Sequence, residues 1–372
     1  NLAGLEGLRA EGGDVVVASI SLSESGCLDV SENPIEAVFA RMRQRGVLLV
    51  VASGNDRLAH WQGTFNDSDG DGQQNFSPGD NTITFEGFEG DPVDLMLSWD
   101  DPCRPSDNDF DLLLLDEFGE IVAISEDANA DTVAQEFISD VLPADGVYHI
   151  VIEAFSAAPG VALDLVWANG PEIEHAVIES SVSFFEPAIS PHALTVGAVN
   201  WNTLQLEESS SQGPTKDGRP KPELAAPTCV QTVSYGGGPD DSDPETCGFS
   251  GTSAAAPHAA GVAALVIQAH PEFSPAQVQR FLEQNARDLG PAGRDDAYGF
   301  GLVQLPPPGA PGQAGSIAQA VAGPDGRIDD AEIKDAARHW VTGAPVPGTG
   351  GRTIDDATMV ELVQLWVTGE VV

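Results

Sequence analysis

Gly251-Thr252-Ser253-Ala254-Ala255-Ala256-Pro257-His258 runs straight into the apolar stretch Ala259 to Ile267. A serine stands between small residues at the point where a loop becomes a helix. There its hydroxyl lies near helical N–H groups that have no partner one turn back, a setting that favours developing negative charge. Ala254, Ala255, Ala256, Ala259, Ala260 and Gly261 offer almost no side chain. The helix they build must therefore pack closely against its neighbours. A serine capping a buried, alanine-rich helix would read the same over this stretch, and the rest of the chain decides between the two.

Upstream, Asp14 to Leu22 reads as a buried strand, short and β-branched after Gly12-Gly13. Pro34 opens a helix with Ile35, Val38, Phe39 and Met42 on one face, and Gly46 stops it. Val47 to Val51 is a second buried strand, ending in Ala52-Ser53-Gly54-Asn55. Strand, helix, strand is a parallel βαβ unit. From about His60 to Asn169 the texture alternates instead. Val93, Leu95, Leu97 and Trp99 share a face, as do Tyr148, Ile150, Ile152 and Ala154, and Val161, Leu163, Leu165 and Trp167. Period-two strands between Gly, Asp and Pro turns describe an antiparallel sandwich or jelly roll, with Trp61 and Trp99 in its core. Ala193 to Val199 returns to buried-strand texture. Ser274-Pro275-Ala276-Gln277 is a capping box with proline at the first helical position, and Val278, Phe281 and Leu282 supply that helix's apolar face.

Pro306 to Gly312 is a stiff Pro/Gly linker. Beyond it lies a repeat: Ile328-Asp329-Asp330-Ala331 recurs as Ile354-Asp355-Asp356-Ala357, and Trp340-Val341-Thr342-Gly343 as Trp366-Val367-Thr368-Gly369. The expected organisation is an α/β domain with a parallel sheet, residues 1–58 and 177–305, interrupted by a β-sandwich or jelly-roll insertion over 59–176. A linker over 306–316 leads to a small all-α domain over 317–372, a helical pair packed through Trp340 and Trp366.

The chain has 372 residues, more than one ordinary core holds. It opens at Asn1 without a signal-like apolar run, as expected of a chain cut by processing or truncation. No stretch has the length of a membrane span. Lys+Arg number 16 against Asp+Glu 58, a formal net charge of −42. Such a surface repels nucleic acid and anionic membranes, and suits high salt or calcium-rich surroundings. Cys27, Cys103, Cys229 and Cys247 show no CxxC spacing, which argues against zinc. An even count in a secreted chain permits two disulfides. Cys229 and Cys247, flanking one Gly/Asp/Pro-rich loop, are the better pair.

Three separated segments resemble the subtilisin-like serine peptidases (subtilases), in family order. They are Val50-Val51-Ala52-Ser53-Gly54-Asn55, the run Ser210 to Pro227 containing Gly213-Pro214-Thr215-Lys216-Asp217-Gly218-Arg219-Pro220-Lys221-Pro222-Glu223, and the Ser253 octet. The resemblance covers roughly residues 10–56 and 180–305. It implies a parallel-sheet peptidase domain with Ser253 as nucleophile. The Ser253 N–H and the Asn55 side chain would stabilise the oxyanion; these roles are those of the subtilisin worked case. Ser21-Leu22-Ser23 matches the strand that pairs with substrate backbone. Ala52, Ser53, Gly54 and Thr252 would line the substrate site, an open pocket without strong charge. His258 is expected to be a packed structural histidine, badly aimed to serve as base, and His60 and His192 are read as loop residues rather than bases. The family's catalytic Asp and His motifs are not found before Asp14, and residues 1–13 contain no histidine. The domain is therefore expected to be incomplete, and this chain alone to be inactive.

Asp67, Asp69 and Asp71 in Asn66-Asp67-Ser68-Asp69-Gly70-Asp71-Gly72 have the alternating carboxylate spacing of calcium loops. Pro78 stands where an EF-hand needs Glu, so the expectation is a structural Ca2+ site of another kind. Asp107, Asp109 and Asp111 form a second alternating set. The C-terminal repeat resembles a dockerin. Asp325-Gly326-Arg327-Ile328-Asp329 with Glu332 fits the second half of a calcium loop, but Val321 and Gly323 stand at the first ligand positions. The expectation is a secreted serine endopeptidase acting on protein or peptide substrates through an acyl-enzyme. The dockerin-like tail would be available to a cell-surface or scaffold partner. The rival is a non-catalytic binding protein working through its β-domain and tail.

Overall fold

The computed structural model describes residues 14–19, 34–99, 106–128, 134–168, 170–184, 187–232, 248–306, 321–322 and 328–342, with 346, 354, 359 and 362–363. The chain forms two compact units, Asn1–Gln304 and Leu305–Val372.

In the first unit, strand β1 (Val15–Ala18), helix α1 (Pro34–Gln44) and strand β2 (Leu48–Ala52) make the βαβ step. Strands β11 (Ala193–Asn200) and β12 (Leu224–Thr228) complete a four-stranded parallel sheet in the order β1-β2-β11-β12. One face packs on α1 through Val16, Val38, Phe39, Met42, Leu49 and Val51. The other carries helix α2 (Thr252–Ala269), where Ala255, Ala256, Ala259 and Ala263 meet Leu48, Val50, Leu194 and Val196. Methyl-sized side chains bring the helix backbone close to the sheet. Gly261 and His258, expected to pack, are exposed instead. Helix α3 (Pro275–Asn285) starts with the full capping box: Ser274 accepts from the Gln277 N–H, and the Gln277 side chain accepts from the Ser274 N–H. Val278 and Leu282 are fully buried.

Between β2 and β11 lie eight strands: β3 (His60–Thr64), β4 (Ile83–Gly87), β5 (Pro92–Trp99), β6 (Asp109–Asp116), β7 (Ile121–Ser125), β8 (Gln135–Val141), β9 (Gly146–Ser156) and β10 (Ala162–Trp167). They form two antiparallel sheets, ordered β3-β10-β5-β8 and β4-β9-β6-β7. The alternating residues fill one core. Trp61, Trp99, Phe110, Tyr148 and Trp167 all lie in it, with Trp99 edge-on to Phe110 at 5.3 Å. The alternation fails in β5 and β10, where Met96, Ser98, Asp164 and Val166 are buried too. Met96 and Val166 pack on Val182 and Ala188, residues just ahead of β11.

A charged cluster lies under the parallel sheet. Lys221 is 2 % exposed. Its ammonium donates to the Ser190 and Ala193 carbonyls, the Thr195 hydroxyl and Glu223, at 2.8–3.1 Å. Oxygens from these four residues around one cation offset its desolvation and tie the start of β11 to the start of β12. Glu36 of α1 lies nearby, one carboxylate oxygen taking the Ser190 hydroxyl at 2.8 Å and the other with no partner. Burial pushes the Glu36 carboxyl above its usual range, against the Ser190 hydrogen bond and the charges of Arg219 and Lys221.

In the second unit, helix α4 (Asp330–Thr342) belongs to a small core of Ile328, Ile333, Ala336, Val346, Ile354, Met359 and Leu362. Trp340 is 40 % exposed. Trp366 lies outside the described residues. Asp329 and Glu332 exchange side-chain-to-backbone hydrogen bonds of 2.9 and 2.8 Å. That is a capping box for α4, and it accounts for two residues otherwise read as calcium ligands.

Candidate functional site: the Asn55–Ser253 junction

The site forms where the C-terminal end of β2 meets the N-terminus of α2. Gly251 caps the helix at φ +79°, and a Cβ there would lie 2.8 Å from Asn55 Oδ1. Only glycine lets Asn55 sit against the helix end in this conformation. Asn55 Oδ1 accepts the Thr252 N–H at 2.9 Å and the Thr252 hydroxyl at 3.1 Å. With its oxygen held on both sides, the amide is oriented and its NH2 edge remains as the donor. Thr252 Oγ1 in turn accepts the Gly54 N–H at 3.2 Å, and the Gly54 carbonyl accepts the Ser211 N–H at 3.0 Å. The three separated segments of sequence thus converge on one junction. Ser253, partly exposed, stands in the first turn of α2. Its N–H has no acceptor among the described residues, and its hydroxyl donates to the Ser19 carbonyl at 3.1 Å. The junction therefore presents a hydroxyl, a first-turn N–H and an oriented amide at the positive end of an 18-residue helix.

Residues 157–301 match the subtilase family.

The matched segment carries β11, β12, α2 and Ser253. Subtilisin amylosacchariticus of Bacillus subtilis subsp. amylosacchariticus is 36% identical over 127 residues, 34% of this chain and 29% of the relative. Serine protease AprX of Bacillus subtilis (strain 168) is 30% identical over 175 residues, 43% of this chain and 37% of the relative. The chain thus spans about a third of the length of these curated relatives. Among solved structures, the Clostridium perfringens CspB protease superposes with a TM-score of 0.56 at 17% identity, covering 81% of this chain and 68% of that one. That likeness is one of fold.

Around the subtilase segment's serine, the other expected residues fall into groups. Ser21, Leu22 and Ser23 lie outside the described residues. Ala52 is half-buried, at the end of β2. Ser53 and Thr252 are 0 % exposed, and both backbone polar groups of Gly54 are engaged within the protein. These three help build the junction around Asn55. Cys229 is disulfide-bonded; Cys247, expected as its partner, lies outside the described residues, as do Cys27 and Cys103.

Among the described residues no histidine contacts Ser253. His258 is exposed rather than packed, and its Nδ1 is 2.8 Å from the Ala254 carbonyl of its own helix. His60 is the first residue of β3 and fully buried, not a loop residue. Its Nδ1 meets the Val177 carbonyl at 2.7 Å and its Nε2 faces Asp164 at 3.4 Å. Asp164 also pairs with Lys216. Burial raises the Asp164 carboxyl, but Lys216 and His60 outweigh it and hold it below the usual range. Burial, and then the charges of Arg43 and Lys221, lower the pKa of His192 below the usual imidazole range.

Two groups of possible metal donors occur among the described residues. The Asp67, Asp69 and Asp71 carboxylates converge within 4.8 Å. Asp67 already accepts the N–H groups of Gly70, Asp71 and Gly72 at 2.7–3.1 Å. The second, missed in the sequence, joins Asp80 with Glu174 and His175. Asp80 stands far along the chain from the adjacent pair Glu174-His175, and the set matches no spacing rule. Asp107, Asp109 and Asp111 form no such group; Asp111 lies in β6, its carboxyl raised by burial and by Asp109, Glu153 and Glu126.

Proposed function

We propose that this chain is part of a subtilisin-type serine endopeptidase that hydrolyses protein or peptide substrates through an acyl-enzyme. Ser253 Oγ attacks the scissile carbonyl, and its proton passes to a base. The carbonyl oxygen becomes an oxyanion held by the Ser253 N–H and the Asn55 amide; collapse expels the amine, and water releases the acid. Ser21-Leu22-Ser23 would pair with substrate backbone. The observation that carries the reading is the double anchoring of Asn55 Oδ1 by Thr252. It turns an asparagine at a strand end into a donor beside a helix-start serine, which a turn residue has no need of.

The Ser253 hydroxyl donates to a backbone carbonyl, which accepts a hydrogen bond but takes up no proton. The expected reactivity of this chain by itself is therefore low. Labelling with a fluorophosphonate, followed by peptide mapping, tests both points. Ser253 should be the residue modified, slowly in this chain and fast in a form that supplies a base. Modification elsewhere, with Ser253 untouched in that form, overturns the proposal. The same observation favours the second reading, a non-catalytic binding protein on this scaffold, in which no form of the protein labels at Ser253.

Secretion, a structural Ca2+ at Asp67, Asp69 and Asp71, a Cys229–Cys247 bridge, and recruitment of a cell-surface or scaffold partner by residues 317–372 are parts of the same proposal. The acidic surface, the carboxylate spacing of the Asp67-Asp69-Asp71 loop and the resemblance of the tail to a dockerin support them.

A further inference from the structure

Asp80, Glu174 and His175 bring one imidazole and two carboxylates together, each offering a donor atom within 4.8 Å of the others. They come from two separate segments. Asp80 sits in the tight turn ahead of β4, where its N–H donates to the Ser77 carbonyl and its own carbonyl accepts from Phe76. Glu174 and His175 lie where the chain leaves β10 and runs back toward the parallel sheet. There Ile173 and Val177 donate to the Leu58 and His60 carbonyls.

Each donor is held from behind. The His175 ring stacks on Phe76, centroids 5.8 Å apart and planes 6° from parallel, which aims Nε2 at Asp80 Oδ2, 2.9 Å away. Asp80 Oδ1 accepts from Thr82, by its N–H at 3.3 Å and its hydroxyl at 3.4 Å, so Oδ2 is the oxygen left for a ligand. Glu174 Oε2 accepts the Thr84 N–H at 3.0 Å. Such outer contacts fix the orientation of metal ligands. Donors bonded at about 2.0–2.2 Å to one first-row ion stand roughly 3–3.5 Å apart. The His175–Asp80 contact, at 2.9 Å, needs only to open slightly to admit the ion.

We propose that Asp80, Glu174 and His175 bind a divalent first-row transition ion of the zinc type. An imidazole with two carboxylates is a donor set for such ions, whereas calcium takes oxygen ligands alone. Two carboxylates and a neutral imidazole also cancel the charge of one dication, in a chain of net charge −42. The ion would staple the turn before β4 to the segment that returns to the subtilase part. Nothing in the acyl-transfer reading requires it.

The test uses the whole chain, stripped with EDTA and titrated with Co2+. One equivalent should give a visible d–d band, which Zn2+ abolishes and a tenfold excess of Ca2+ leaves in place. His175→Ala should lose the band, while Asp69→Asn/Asp71→Asn keeps it. Glu174 is exposed, so Glu174→Gln should leave the EDTA-treated melting curve unchanged and weaken Zn2+ binding at least tenfold. No band at millimolar Co2+, a band that survives in His175→Ala, or displacement by Ca2+ would each overturn the assignment. The first would leave a plain His175–Asp80 hydrogen bond, and the last a hard-cation site.

Discussion

β2 and β8 bury their residues by opposite rules. Leu48, Leu49, Val50 and Val51 are each at most 1 % exposed, because α1 covers one face of β2 and α2 the other. In β8, Ile138 is buried, while Phe137 and Val141 are more than half exposed. The first pattern puts the ends of strands, not their faces, at the disposal of function. Asn55 hangs from such an end. The second leaves an open face, and β5 and β10 show what happens when something docks there: Met96 and Val166 are closed off by Val182 and Ala188. The parallel region is thus a tightly specified support for one junction, and the antiparallel region a separate core with adaptable surfaces.

Lys221→Ala gives the largest effect expected of that contrast. It leaves Glu223 and Glu36 without their buried cation, and removing one partner of such a pair costs about 3–5 kcal/mol. Hydrogen exchange should rise in peptides covering 193–200 and 224–228, with little change in β6 and β9. A uniform rise across both regions would show that they unfold as one and break the comparison. Asn55→Ala, in a catalytically complete form, should lower kcat by about 10²–10³-fold with KM little changed. An effect on KM alone would make Asn55 a binding or turn residue.

In the antiparallel region the sharpest question is the Asp67-Asp69-Asp71 loop. Calcium bound only to the folded state adds about 2.7 kcal/mol at a hundredfold excess over Kd. Any salt relieves repulsion on so acidic a surface, so melting is compared in millimolar calcium and in sodium chloride at equal ionic strength. The calcium sample should melt higher, and Asp69→Asn/Asp71→Asn should erase the difference. Equal midpoints would reduce the three aspartates to a solvated turn.

Reading the sequence worked best where physics acts locally. Buried runs marked β2 and β11, small residues marked α2, and Ser274 with Gln277 marked the start of α3. It singled out Asn55 and Ser253, whose segments the structure brings to one junction, because each lies at an element boundary inside a dense motif. It failed where a contact reaches between regions. Period-two texture places Leu97 and Trp99 in a core but says nothing of a second layer over Met96, so β5 looked one-sided. His60 looked like a loop residue because its partners, Val177 and Asp164, are more than a hundred positions away.

The smallest effect expected tests the parallel region from below. Glu36 is 5 % exposed, with one carboxylate oxygen unpartnered. Its folded-state pKa is raised, by burial before anything else. For a carboxyl the sign follows directly. Between the unfolded value, near 4.5, and the raised folded one, the folded state holds more protons, so stability falls as pH rises through that window. Above it the full penalty of the buried charge is present; below 4.5 it is gone. Glu36→Gln removes the charge and keeps an oxygen for the Ser190 hydroxyl. It should stabilise the chain at pH 7.5 by about 1 kcal/mol, the low end for a buried group left unsatisfied. That gain should shrink toward zero as the pH is lowered to about 4.5. Comparing variant with parent at each pH cancels the relief of surface repulsion that acid brings to both. If the variant is instead less stable at pH 7.5, the Glu36 carboxylate is a needed counter-charge to Lys221, and the cluster under the sheet depends on two anions rather than one.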